Sequence, residues 1–286
     1  MPDPAIAVLP YGSRLGAKQA DRPLSELNWP LGCSERLQGK RLRDLEVSDH
    51  LIVYPKTAMH FQLDWHCPAQ VSIMVVEPNI MHGHHLRWLR LTHRRFFRVF
   101  SYDEDFLNRV PNGIFLPYGT TWVPNWRDLQ IEKSAEVSLI ASSKRDHPGH
   151  KLRHNLVEFV RAEHPEVEVM GRGYTPFEEK SDGLVPFRYS VVIENVQQRN
   201  YFSEKLIDAV LCDCVPIYWG CPNIGDFMET SGMVICQNEG EMRAAIASAN
   251  AEDYARRLPA LQAIKDVAAG FDHLETRAAL ALQGSL

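Results

Sequence analysis

Short apolar runs alternate with stretches of helical period along most of the chain. Residues 5–9, 51–54, 71–76 and 98–101 are short and rich in β-branched or aromatic side chains, which predicts buried strands. Residues 84–95 place apolar positions at helical spacing between the last two, and residues 115–119 end this first set. A second set opens with a strand at 137–141. A helix follows with Leu152, Leu156, Phe159 and Val160 on one face, then strands at 167–170, 189–193, 215–218 and 233–236. Helices are expected from Ser203, as a short turn at 223–228, at 239–248 and at 253–264, with Pro259 kinking or splitting the last. Strands alternating with helices argue for doubly wound parallel α/β sheets. Residues 120–132, with Pro124 between Trp122 and Trp126, read as an interdomain connection. The expected domains are therefore 1–124 and 125–286, with the alanine-rich helix at 273–286 packing back on the first.

The most informative stretch is 189–220, YSVVIENVQQRNYFSEKLIDAVLCDCVPIYWG. It reads as strand, loop, helix and strand. Glu194 and Asn195 stand at the carboxyl end of the first strand, the ligand edge of an open parallel sheet. Ser203 is suited to cap the helix and Glu204 to its positive end. Lys205 is not, by ~0.3–1 kcal/mol, unless an anion binds there and draws the ammonium and the free N–H groups together. A solvated surface lysine is the alternative. The strand at 137–141 likewise ends in Ser142, Ser143, Lys144 and Arg145. Arg153 lies on the first turns of the helix that follows, either as a fork for two phosphate oxygens or as a surface arginine. In the first domain, Glu77 precedes Pro78 at a strand end, again at the ligand edge.

The run IENVQQRNYFSEKLIDAVLCDCVPIYWG resembles the glycosyltransferase family 10 α-1,3/4-fucosyltransferases, whose pattern is (F)EN, a short loop, Y-x-(T/S)-E-K, a helix and VP-(I/V)-Y-x-G. Weaker resemblance extends from about Glu77 to about Asn250 and includes the Gly171-Arg172-Gly173 step. The resemblance implies a GT-B architecture, two Rossmann-like domains facing a cleft. It also implies inverting transfer of L-fucose from GDP-fucose to a hydroxyl of an acceptor glycan, in an α-1,3-type linkage, with no bound metal or cofactor. In that frame Glu77 is the catalytic base. Glu194 stabilises or contacts the oxocarbenium-like sugar, or else is a structural carboxylate that fixes its loop. Arg153 and Lys205 neutralise the diphosphate, helped by Lys144 or Arg145. Glu204 accepts from the ribose hydroxyls, and Asn195 and Tyr201 line the loop. The chain has Glu-Pro where the family often has E-x-(E)-S-P, which loosens the match at Glu77. Two other readings stay open: a GT-B transferase using another nucleotide sugar, and a silent glycan- or nucleotide-binding protein.

Charge and composition narrow the partners. A net charge of −5 argues against general nucleic-acid binding. The segment 82–98 carries five arginines and no acid, with Trp88, Phe96 and Phe97 interleaved. It is either an arginine-rich solvated helix face or a contact for an anionic glycan or membrane surface. No apolar run reaches the roughly 18 residues of a membrane span, and the start, MPDPAIAVLPYGSR, lacks the basic and apolar regions of a secretory signal. Six cysteines without a CxxC fit reduced, buried thiols. The expected location is the cytoplasm, peripherally at the inner membrane if segment 82–98 binds there, as in the anchorless bacterial look-alikes. His82, His84 and His85 lack the cysteine or carboxylate pattern of a metal centre. The D-x-D at 103–105 reads as a helix cap rather than a cation pair.

Overall fold

The computed structural model describes residues 4–286; positions 1–3 of the expected first domain lie outside the described residues. The chain divides into two compact units, one built up to Pro117 together with Leu274–Leu286, the other from Tyr118–His273.

The first unit holds strands β1 (Ile6–Val8), β2 (His50–Val53), β3 (Gln70–Val75), β4 (Val99–Ser101) and β5 (Gly113–Phe115), with helices α1 (Asn79–Thr92) and α2 (Glu104–Leu107). All neighbours are parallel and the sheet order is β1-β2-β3-β4-β5. The doubly wound expectation fails here, because each strand is added beside its predecessor and the order never reverses. Leu51, Val53, Ile73, Val75 and Val99 are buried in one core with Leu86 and Leu89 of α1. The D-x-D resolves as a cap: the Asp103 carboxylate accepts the Phe106 N–H at 2.9 Å.

The second unit holds β6 (Ala135–Ile140), α3 (Pro148–Glu163), β7 (Glu168–Met170), β8 (Phe187–Ile193), α4 (Glu204–Leu211), β9 (Val215–Trp219), β10 (Val234–Ile235), α5 (Glu239–Ser248), α6 (Ala251–Ala263) and α7 (Lys265–Ala269). Its sheet order is β10-β9-β8-β6-β7, all parallel. Leu139, Val191 and Ile217 stand abreast on the three central strands and are buried. The order reverses between β6 and β8, so this sheet is doubly wound and its switch point lies there. Ligands of open α/β sheets bind at that point, at the carboxyl ends of the strands.

Two boundaries differ from the sequence reading. Residues 118–124 belong to the second unit, because Asp208 of α4 accepts from the Thr121 hydroxyl at 2.7 Å and the Trp122 N–H at 3.0 Å, and Val123 is buried in that core. α6 runs through Pro259 without a break, and the helix ends only before α7. The tail, α8 (Leu274–Gln283), groups with the first unit. There Glu275 accepts from Asn28 and from the Tyr54 hydroxyl, both at 2.9 Å. Cys212 and Cys214 are buried free thiols. Among the described residues no helix is long and apolar enough to cross a membrane.

Candidate active site

The two loops at the switch point are locked together. β8 ends at Ile193, and the Glu194 N–H continues its ladder to the Trp219 carbonyl at 2.9 Å. Gly149, in the first turn of α3, donates its N–H to the Asn195 carbonyl at 3.0 Å. A Cβ on Gly149 would fall 1.7 Å from the Glu194 carbonyl oxygen, so only glycine permits this approach. Gly220 serves the same end on the other side, where a Cβ would lie 2.6 Å from Glu194 Cγ. Farther along, Asn200 takes the left-handed conformation that asparagine tolerates, at φ 62. Its backbone N–H and side-chain oxygen pair with the Asn223 amide at 2.9 and 2.7 Å.

This scaffold gathers a charged cluster at the start of α4. Ser203 is the cap, as its spacing predicts. Its N–H and hydroxyl each donate to one oxygen of Glu194, both at 2.7 Å. Lys205 Nζ lies 3.0 Å from Glu204 Oε1, 3.0 Å from Ser203 Oγ and 3.7 Å from Glu194 Oε2. Arg153, 6% exposed, donates to the Ile193 carbonyl at 2.6 Å and feels the charges of Glu194 and Glu204. The Lys205 side chain keeps 25% of its surface exposed, against none for Glu194.

The carboxylates of the cluster hold their protons unequally. Burial pushes the Glu194 carboxyl above the usual carboxylate range, and the Glu204 charge adds to that against Lys205 and the Ser203 bonds. Burial also lifts Asp208 to about 6. The first shift weakens one of the two carboxylates that act on Arg153 and Lys205, while Lys205 holds the other, Glu204, below the usual range against its own burial. Lys180, in the turn Lys180–Gly183, joins the group: it lies within electrostatic range of Asp208, Glu204, Lys205 and Arg153, and burial lowers its pKa. The sequence gives no sign of this, because EEKSDG reads as a solvated turn.

Asp208 yields a pH prediction. Its folded pKa lies above its unfolded value near ~4, so the native state holds the proton more tightly and stability falls as pH rises between the two. From pH 4.5 to 7.5 the loss is about 2 kcal/mol. Asp208→Asn keeps an acceptor for Thr121 and Trp122 and is expected to abolish that loss. Denaturant unfolding at the two pH values checks it; parallel pH profiles for parent and variant would show that Asp208 titrates as an ordinary carboxyl.

The other expected site residues are placed as follows. Asn195 is half-buried beside α3. Tyr201 is buried, with its ring 6.1 Å from that of Tyr118. Lys144 and Arg145 are exposed in the loop before α3 and outside the buried cluster. Glu77 follows β3 and precedes α1 in the first unit, half-buried, and its charge helps to raise the pKa of Tyr11. Glu194 has no exposed surface and both of its oxygens accept from Ser203, the geometry of a carboxylate that fixes its loop. A depression of about 570 Å³ in the first unit, lined by Trp65, Gln70, Arg95 and Asn112 among others, opens at the starting ends of β3 and β5, away from Glu77.

Parallel α/β sheets in two units, the second with its reversal at a charged strand end, make up the GT-B glycosyltransferase fold. A crystal structure of an α1,3-fucosyltransferase with GDP-fucose matches with a TM-score of 0.52 at 18% identity, over 90% of this chain and 82% of that one. The pneumococcal O-GlcNAc transferase GtfA in complex with UDP and GlcNAc matches with a TM-score of 0.50 at 14% identity, over 84% of this chain and 56% of that one. In sequence, the α-(1,3)-fucosyltransferase FucT of Helicobacter pylori is 38% identical over 45 residues, which span 16% of this chain and 9% of that protein. No protein-family model matches the chain.

Proposed function

We propose that the chain is an inverting glycosyltransferase of the family 10 fucosyltransferase type, moving L-fucose from GDP-fucose to a hydroxyl of an acceptor glycan. The observation that carries this reading is the cationic group Arg153, Lys180 and Lys205 around the start of α4, at the switch point of the second sheet. Departure of GDP leaves charge on the β-phosphate, and fixed cations with helix N–H groups stabilise it as it develops. In this reading no metal takes part. Glu204 accepts from the ribose hydroxyls, with Asn195 and Tyr201 shaping the loop and Lys144 and Arg145 at its exposed rim. Glu194 holds Lys205 in place. Glu77 takes the proton from the attacking hydroxyl, which gives inversion in a single displacement.

Calorimetry with GDP, GDP-fucose, GDP-mannose and UDP-GlcNAc, in a chelating buffer, tests the donor. GDP-fucose is expected to bind more tightly than the other sugars. Preference for UDP-GlcNAc would keep a transferase with a different donor, the reading that the fold shared with GtfA favours. Binding of no nucleotide would leave a silent binding protein.

The same reading places the enzyme in the cytoplasm, at an anionic membrane face. α1 exposes Trp88 and Leu91, 40% and 80% exposed, and the exposed Phe61 ring lies 4.8 Å from that of Trp88. Arg87 and Arg90 are exposed along α1 and Arg94 in the turn that follows. Basic and apolar side chains together suit anionic lipid. Co-sedimentation with vesicles containing phosphatidylglycerol is expected, with none for phosphatidylcholine alone, and Leu91→Glu is expected to abolish it. Equal binding to both vesicle types would remove the charge argument.

A further inference from the structure

The geometry points to a divalent transition-metal site formed by Asp146, His147 and His150 at the start of α3. Each residue offers one ligand atom, and the three atoms lie within 4.8 Å of one another. His147 is the extended N-cap residue of α3 and His150 stands in its first turn. Their rings are 4.9 Å apart. Donors about 2.1 Å from one ion lie closer together than 4.8 Å, so the triad closes on it by side-chain rotation.

A second observation points the same way. His150 is 6% exposed, and its Nδ1 is buried without a hydrogen-bond partner among the described residues. Buried polar atoms are almost always paired, and an orphan of this kind calls for a ligand. The neighbouring histidine does not compete: His154 bonds the Tyr174 hydroxyl at 2.8 Å and the Lys144 carbonyl at 3.0 Å, which ties down the loop that carries Asp146. In the first unit His60 and His85 are paired to each other at 3.0 Å; His50 and His82 also leave Nδ1 buried without a hydrogen bond, but among the described residues only Asp146, His147 and His150 bring three such ligand atoms together.

Two imidazoles and one carboxylate suit Zn²⁺ or Co²⁺, and three protein ligands leave coordination positions open. The helix dipole and Arg153 oppose a cation here, but weakly beside metal–ligand bonds. The ion has no part in the transfer proposed above, and the site stands whatever the donor proves to be.

Co²⁺ titration of the untagged protein, read by its visible d–d absorption, tests the site. The expected result is one Co²⁺ per chain, without thiolate charge-transfer bands and displaced by Zn²⁺. His150→Gln is expected to weaken Co²⁺ by at least about 100-fold, and exposed Asp146→Ala by at least about 10-fold. Asp146→Ala keeps the test valid if His150→Gln does not fold. Undiminished Co²⁺ binding in Asp146→Ala, thiolate bands, or no binding by the parent at millimolar Co²⁺ would each overturn the assignment.

Discussion

Lys205→Met is expected to weaken GDP binding by about 10- to 100-fold, the equivalent of losing a hydrogen bond to a charged group worth about 1.5–3 kcal/mol. The Lys205 side chain is partly exposed, unlike Glu194, Glu204 and Arg153, and its ammonium is held by Glu204, Ser203 and Glu194, so it is a cation placed to meet an incoming phosphate. The same change costs stability. Removing one partner of a buried ion pair leaves the other uncompensated, at up to about 3 kcal/mol. Glu194 keeps its two bonds from Ser203, which limits the loss. The two effects separate in the double variant Lys205→Met with Glu194→Gln. Glu204 keeps its charge at 3.0 Å from the position of the ammonium, so the unfolding midpoint is expected to recover only in part while GDP binding stays weak. Calorimetry and denaturant unfolding on the three proteins measure both. Parental GDP affinity in the single variant would remove Lys205 from the donor site.

Gly149→Ala is expected to be more damaging than any side-chain truncation in the loop. The added methyl would meet the Glu194 carbonyl oxygen at 1.7 Å and its carbon at 2.9 Å. Both are backbone atoms at the end of a central strand, so neither can rotate away. The first turn of α3 must retreat and give up the Gly149–Asn195 hydrogen bond. A cost of about 3 kcal/mol or more follows, at the upper end of overpacking. Arg153 stands one turn farther along α3 and moves with it, so GDP binding should fall as well. Gly225→Ala, where a Cβ meets nothing within 4 Å, is the control, expected to stay within about 0.5 kcal/mol of the parent. Equal unfolding midpoints for the two alanine variants would show that the loop and α3 are not so tightly coupled.

Much of the fold was legible because the signals are local. β-branched runs marked β2, β3, β8 and β9 to within a residue or two, since a central parallel strand must be apolar on both faces. Ser203 could be read as a cap because capping depends on a few neighbouring backbone groups. Glu77 and Glu194 could be placed at strand ends, and Arg153 and Lys205 in the first turns of helices, for the same reason.

What the sequence could not supply depends on long-range proximity. Strand order is set by packing, not by local pattern, so neither the reversal between β6 and β8 nor the unreversed first sheet could be read along the chain. Lys180 joins the cluster only because its turn folds toward α4. Residues 118–124 go with the second unit because a single buried carboxylate, Asp208, gathers Thr121 and Trp122. The full burial of Glu194 could not be read either, because burial is a property of everything packed around it, including two glycines distant in sequence that leave room for no side chain. The sequence by itself determined which elements form and which charged groups stand at their ends. The tertiary structure decided which of those groups share a site, because burial and electrostatic coupling arise only once segments far apart in the chain are brought together.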